Sequence, residues 1–209
     1  MTAPEGVAQP EARNVGRPLR ADARRNRARV LDAARTAFAA EGASVPLDEI
    51  ARRAGVGAGT VYRHFPTKEA LFEAVVHDRL RQLTEDGRAL SADADPREAL
   101  FRFIERLVTE AALKRDLIDA LNGAGVDITA ALADVVGELR AETGRLLARA
   151  QRAGTIRDDI DISDLMALLS GMIQATQPRP GRGIEPRRAI AVLCDGLRVP
   201  SSPAGPAAR

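Results

Sequence analysis

An all-α fold of about nine helices is what this 209-residue chain predicts, and three observations predict it. Apolar residues recur at i, i+3, i+4 and i+7 through most of the sequence, which is the period of a helix with one buried face. Runs of alternating β-branched residues, the mark of half-buried strands, are missing. Hydrophobic residues make up 45% and charged residues 29%, close to the globular average, so there is enough apolar material to form a core.

The first helix is expected over residues 24–41, with Val30, Leu31, Ala34, Ala37 and Phe38 on one face and Gly42 placed to close it in a left-handed conformation. A short second helix follows over 47–54. Pro46 has a suitable φ for its entrance, Asp48 and Glu49 sit where the helix dipole favours anions, and Gly55 ends it. A tight turn leads to a third helix, 58–64. Thr67 then caps a long fourth helix whose Leu71, Phe72, Val75, Val76 and Leu83 face inward. After a break at 91–96, helical patterns return over 96–112, 113–121, 128–153, 162–176 and 186–197. Residues 122–127, with two glycines, and 177–186, rich in Pro, Gly and Arg, read as loops. The termini read as a disordered basic arm, 1–20, and a disordered tail, 199–209.

Composition narrows the function. The longest unbroken apolar run is six residues, 189–194, too short for a membrane span, and the first thirty residues carry arginines rather than a signal-peptide core. A soluble cytoplasmic protein without a membrane partner is expected. One cysteine, Cys194, and two histidines, His64 and His77, do not supply the ligands of a structural zinc. With 3% aromatic residues and no Trp, an aromatic-lined cofactor site is not expected, and none is assigned. Charge, by contrast, is polarised. Residues 13–66 carry eleven Arg against five acidic residues, a net +6, while everything from Thr67 onward sums to −2. A basic N-terminal unit on a nearly neutral remainder fits a chain of which only the first part meets a polyanion.

Residues 47–65 fit a helix-turn-helix, two short helices joined by a four-residue turn with glycine. Ile50, Ala51, Val56, Val61 and Phe65 are spaced to lock the pair against the first helix, which leaves Ala58, Thr60, Tyr62, Arg63 and His64 partly free. A helix that enters a major groove about 12 Å wide needs small residues at its leading end, and Gly57, Ala58 and Gly59 are small. Arg63 has the fork to grip a guanine edge.

The stretch RVLDAARTAFAAEGASVPLDEIARRAGVGAGTVYRHFPTKEALFEAVV, residues 29–76, resembles the DNA-binding region of the TetR family of bacterial transcriptional regulators. The matching positions include Phe38, Gly42, Ile50-Ala51, Ala54-Gly55-Val56, Gly59-Thr60, Tyr62, His64-Phe65, Lys68-Glu69 and Leu71. A weaker likeness at 153–171, through Gly154, Ile156-Arg157, Asp159 and Asp161, is similar to the family's lead-in to its dimerisation helix, and residues 111–121 resemble an actinobacterial subgroup. The resemblance implies a DNA-binding domain over 21–66 and an effector-binding and dimerisation domain over 67–198. It implies that Tyr62, His64 and Lys68 hold phosphates, that Thr60 and Arg63 face bases or backbone, and that Ala58 and Gly59 approach the groove. Gly57 and Pro46 stand where family members often carry hydroxyl caps, which leaves more of the backbone grip to the arm residues Arg24, Arg25 and Arg27.

The resemblance further implies a homodimer and a small-molecule effector. Leu165, Leu168, Leu169 and Met172 on one helix, with Ile190, Leu193 and Leu197 on the last, are the expected interface. Phe103, Leu107, Leu121, Asn122, Thr143 and Met166 are the expected effector pocket. The function expected is a repressor that binds double-stranded DNA at a palindromic operator and leaves it when an effector binds. The alternative is a helical small-molecule-binding protein or enzyme whose basic end does not bind DNA, but no nucleophile–base pair is visible and no enzyme is expected. A nucleotide-binding reading of the Gly55–Gly59 run fails because no strand precedes it and no Gly-Lys-Ser/Thr follows.

Overall fold

The computed structural model describes residues 16–92, 95–122, 128–176 and 184–199, excepting the side chains of 16–21, 43, 112–122 and 128–129. Helix α1 spans Gly16–Glu41, and a 3-10 turn, Gly42–Ser44, leads to α2, Leu47–Ala54, and α3, Ala58–His64. The long α4, Lys68–Leu90, is followed by α5, Pro96–Asn122, the single turn α6, Ile128–Ala131, and α7, Ala133–Arg152. Two further helices, α8, Ile162–Ala175, and α9, Pro186–Leu197, complete the described fold. Among the described residues there is no strand, only an isolated bridge between Ile156 and Arg198. No helix among them is long and apolar enough to cross a membrane.

The sharpest boundaries have chemical causes. Gly55 takes φ 62°, and the N–H groups of Gly55 and Val56 donate to the carbonyls of Arg52 and Ala51 (both 3.1 Å), which closes α2. Thr67 caps α4 by accepting from the Ala70 N–H at 3.2 Å. At α8 the Asp161 carboxylate accepts from Ser163 and Asp164 N–H while Asp164 accepts from Asp161 N–H, a reciprocal capping box. Glu185 and Pro186 open α9 in the same spirit.

Three expected boundaries are corrected. Helix α1 already runs through residues 16–23, ahead of Arg24, so residues 16–20, placed in the disordered arm, are helical. Arg, Leu and Ala, which make up most of residues 17–24, are strong helix formers. The segments 96–112 and 113–121 form one helix, α5, because nothing at the junction of Ala112 and Leu113 breaks the ladder. Conversely, the segment 128–153 is interrupted at Leu132, whose φ −100°, ψ 0° separates α6 from α7. Residues 1–15, 123–127, 177–183 and 200–209, the expected arm, loops and tail, lie outside the described residues.

Two cores follow. The first gathers Val30, Leu31, Ala34 and Phe38 of α1, Leu47, Ile50 and Ala51 of α2, Val61 and Phe65, and Leu71, Phe72, Val75 and Val76 of α4. The Phe38 and Phe72 rings meet at 5.7 Å in a tilted pair. The second gathers Leu83 with α5, α7, α8 and Leu197. Helix α4 contributes to both, so it is the rigid link between the N-terminal helices and the rest. Inside the second core Gly87 of α4 faces Glu142 of α7 and Phe103 of α5. Glu142 is only 1% exposed, and its carboxylate accepts from Ser91 Oγ (3.2 Å) and Arg145 Nε (3.0 Å). Those bonds meet the requirement that a buried charge be partnered.

Candidate nucleic-acid interface

In α3 only Val61 is buried, and with Phe65 (3% exposed) just beyond the helix it anchors the segment to the first core. Everything else on the helix is left outside. Tyr62 is 46% exposed, and Arg63, His64, Ala58 and Gly59 are exposed, with Thr60 half-buried. A tyrosine this open on a seven-residue helix is not a packing residue; its apolar ring and polar tip are presented to solvent. Gly57 precedes the helix at φ −67°, ψ 140°, and its carbonyl accepts from Thr60 N–H at 2.9 Å, so the leading end carries no side chain wider than a methyl until Thr60. Such a slim, exposed leading end suits insertion into a major groove.

Lys68 stands half-buried at the start of α4, in the turn following α3. His64 and Phe65 rings lie 6.1 Å apart, and the Arg27 guanidinium sits 5.6 Å from the Phe65 ring centroid. This stacking brings the N-terminal half of α1 to the end of α3. Arg25 pairs with Asp22 on the exposed side of α1. Arg24 and Arg27 are exposed as well, yet both line a cleft of 360 Å³ between α1 and α4. The expected DNA-contacting residues are therefore grouped by the fold on or beside α3, the start of α4 and the N-terminal half of α1.

Two supports of this arrangement were not foreseen. Arg29 donates from Nη2 to the Gly55 carbonyl at 3.1 Å, tying α1 to the turn that sets the angle between α2 and α3. The two residues are 26 positions apart, and no local pattern pairs them. Arg53 bridges Glu41 (2.5 Å) at the end of α1 and Glu49 (2.7 Å) within α2, while Arg52 donates to Glu49 from the other side. The hydrogen bonds from Arg52 and then Arg53 hold the Glu49 carboxyl down to about 2, so this clamp stays ionised through the physiological range. The i, i+3 and i, i+4 spacing of Glu49 with Arg52 and Arg53 was readable; the link to Glu41 was not.

The expected pocket and interface fare differently. Phe103 (0% exposed), Leu107 (9%) and Thr143 (0%) are consumed in core packing, and the Thr143 hydroxyl donates to the Leu139 carbonyl at 2.8 Å. They line neither the α1–α4 cleft nor the clefts at Arg102 and Arg106 (480 Å³) and at Gln151 and Arg157 (460 Å³). A Cβ at Gly87 would meet both Glu142 and Phe103, so the missing side chain lets α5 and α7 pack closely on α4 here. Met166 is half-buried, and the side chains of Leu121 and Asn122 lie outside the described residues. Of the expected interface, Leu165, Leu169 and Leu197 are buried in the chain's own second core. Leu168 is 49% exposed, and Met172, Ile190 and Leu193 are half-buried. Val192, not foreseen, is 67% exposed on α9.

Comparison with known proteins follows this division. Residues 30–75 match the family model for bacterial regulatory proteins of the tetR family, and residues 95–199 match that of the C-terminal domain of SbtR-like transcriptional regulators. Among solved structures, a TetR transcription regulatory protein from Mycobacterium vanbaalenii is 51% identical, covers 87% of this chain and all of its own, and superposes with a TM-score of 0.73. The TetR transcriptional regulator SCO0520 from Streptomyces coelicolor is 34% identical over 84% of this chain and 99% of its own, with a TM-score of 0.70. An HTH-type transcriptional repressor of Mycobacterium tuberculosis, Rv1474c, is 27% identical over 80% of this chain and 88% of its length. The regulator SrpR of Pseudomonas putida is 42% identical over 73 residues, and there the chain spans about a third of the relative's length (34%).

Proposed function

Since this chain belongs to the TetR family of DNA-binding bacterial transcriptional regulators, we propose that it is a homodimeric repressor that acts in the cytoplasm on a palindromic operator and is released by a small-molecule effector. The observation that carries this reading is the exposure of Tyr62, Arg63 and His64 on a short helix anchored to the first core by Val61, with buried Phe65 just beyond it. Two such helices about 34–36 Å apart enter successive major grooves. Arg63 and Thr60 read base edges, while Tyr62, His64, Lys68 and the α1 residues Arg24, Arg25 and Arg27 hold phosphates. Residues 21–66 form the reading unit, and residues 67–198 the effector and dimer unit. An effector that binds the latter better when the spacing is wrong for DNA lowers operator affinity by that difference. We assign no reaction to the chain.

Gel-shift titration over a range of salt concentrations tests the contacts. Arg63→Ala is expected to cost about 1–3 kcal/mol on the preferred operator and to relax base preference, whereas Lys68→Ala weakens all sequences alike and reduces the salt slope by about one. Binding untouched by both changes would overturn the assignment.

The dimer is proposed to form across the exposed part of α8 and α9, around Leu168 and Val192, where large apolar side chains stand open to solvent. Leu168→Glu is expected to shift the species seen by light scattering from dimer to monomer, because a carboxylate at the centre of an apolar interface has no partner. A dimer of unchanged stability would remove this face from consideration.

A further inference from the structure

We propose that the cleft between α1 and α4 is a binding site for a small, multiply charged oxyanion of pyrophosphate or tricarboxylate size, and that its occupancy draws Arg24 and Arg27 away from DNA. The consequence for DNA rests on the operator-binding reading; the site itself does not.

The cleft measures 360 Å³, within the range of small-molecule sites. Five arginines line it: Arg24, Arg27 and Arg35 from α1, and Arg79 and Arg81 from α4. Against them, among the described residues, stand two carboxylates, Asp32 and Asp78, so the lining keeps a net positive charge. Asp32 accepts from Arg35, and Asp78 accepts from Gln82 Nε2 at 2.8 Å. Among the described residues neither Arg24 nor Arg27 has a carboxylate partner, and Arg81 reaches Glu85 only at 4.0 Å. Leu31 and Val75, both buried, supply an apolar wall, which limits screening and concentrates the positive field.

Arg79 is the fixed point. Its guanidinium donates to Glu110 of α5 and, at 2.9 Å, to Gln82 Oε1, so it is oriented before any ligand arrives. Burial, and next the charge of Arg35, lower its pKa from the usual arginine value. Planar forks from opposite walls suit an oxyanion with several charged oxygens, each able to take paired N–H donors. A monovalent anion lacks the charge to engage both walls. Because Arg27 also stacks on Phe65 beside α3, an anion that recruits Arg24 and Arg27 removes phosphate contacts at the edge of the reading surface.

Isothermal titration of the full chain with pyrophosphate and with citrate, at constant ionic strength and without DNA, tests the site. Saturable binding with one site per chain, in the roughly sub-millimolar to millimolar range, is expected. Arg35→Gln and Arg81→Gln, which leave the proposed DNA contacts intact, are expected to weaken it at least about tenfold. Arg187→Gln on α9, exposed and distant in sequence, should leave it unchanged. No saturable binding, or equal loss in the Arg187 variant, overturns the site. In gel shifts, pyrophosphate should lower the wild-type operator affinity beyond the effect of matched salt, and the Arg35→Gln chain should lose that response while keeping its own DNA affinity. If instead Arg35→Gln weakens DNA binding and the anion gives no saturable heat, the cleft holds a DNA phosphate and the proposal fails. Saturable anion binding to a chain that binds no operator would sustain the site and sink only the repressor reading.

Discussion

Gly87→Val is expected to lower folding stability by about 1–3 kcal/mol, the usual cost of overfilling a packed interior. A Cβ at this position would stand 2.7 Å from Glu142 Cγ and 3.0 Å from the edge of the Phe103 ring. Neither neighbour has room to retreat, because Phe103 is fully buried and Glu142 is 1% exposed. Moving Glu142 would also pull its carboxylate from Ser91 and Arg145, and a buried charge that loses partners is costly. Thermal unfolding at fixed protein concentration reads the loss, at roughly 2–4 °C per kcal/mol for a chain of this size. Gly87→Ala should fall between, since alanine gains up to about 1 kcal/mol of helix propensity over glycine while meeting the same two neighbours. Equal melting temperatures for all three chains would mean that α4 and α7 are not in this close contact. Helix α4 carries Lys68 at its first position, so a strained second core is also expected to shift the reading end and weaken operator binding.

The second large effect is expected at Gly55→Val. Gly55 sits at φ 62°, where a β-branched residue is a steric outlier, and such strain costs about 1–3 kcal/mol. A side chain there would also meet Arg29 Nη2 at 2.5 Å, displacing the guanidinium that donates to the Gly55 carbonyl. Both effects act on the turn between α2 and α3. Operator affinity should therefore fall by more than the fraction of unfolded chain accounts for, as measured by gel shift beside a melting curve. Arg29→Ala provides the comparison, since it removes the tie without backbone strain and is expected to show a smaller loss of stability. A Gly55→Val chain that is as stable as wild type and binds the operator equally well would show that the turn does not orient α3.

The bounds of α2, α3 and α9 were legible in the sequence to the residue, because each is set by local chemistry. Gly55 permits a left-handed turn, Gly57 and Phe65 bracket a helix too short to be anything but docked, and Pro186 starts a helix where an N–H is not required. The buried positions of α1 and α4 were likewise readable from the 3.6-residue period. That α1 reaches ahead of Arg24 was not, because arginine and alanine run through it without a capping signal. The exposed face of α3 was legible for a complementary reason: once Val61 and Phe65 take the inward positions, the remaining side chains have nowhere else to point.

The apolar stripes of α8 and α9 show where such reading ends. Leu165, Leu168 and Leu169 are equally hydrophobic, yet the first and third are covered by the chain's own core and the second stands open. Phe103 and Thr143 looked equally suited to a ligand, and in this structure both are packed in the chain's own core. Helical periodicity and capping act between residues within a turn or two of one another, so linear order alone settles which segments coil, where they stop and which side is oily. Which oily side meets which, that Gly87 admits Glu142 into the interior, that Arg29 holds a turn 26 residues away and that five arginines converge on one cleft all depend on helices distant in the chain docking together. Those contacts are decided by shape and charge in three dimensions, for which the order of residues carries no local signal.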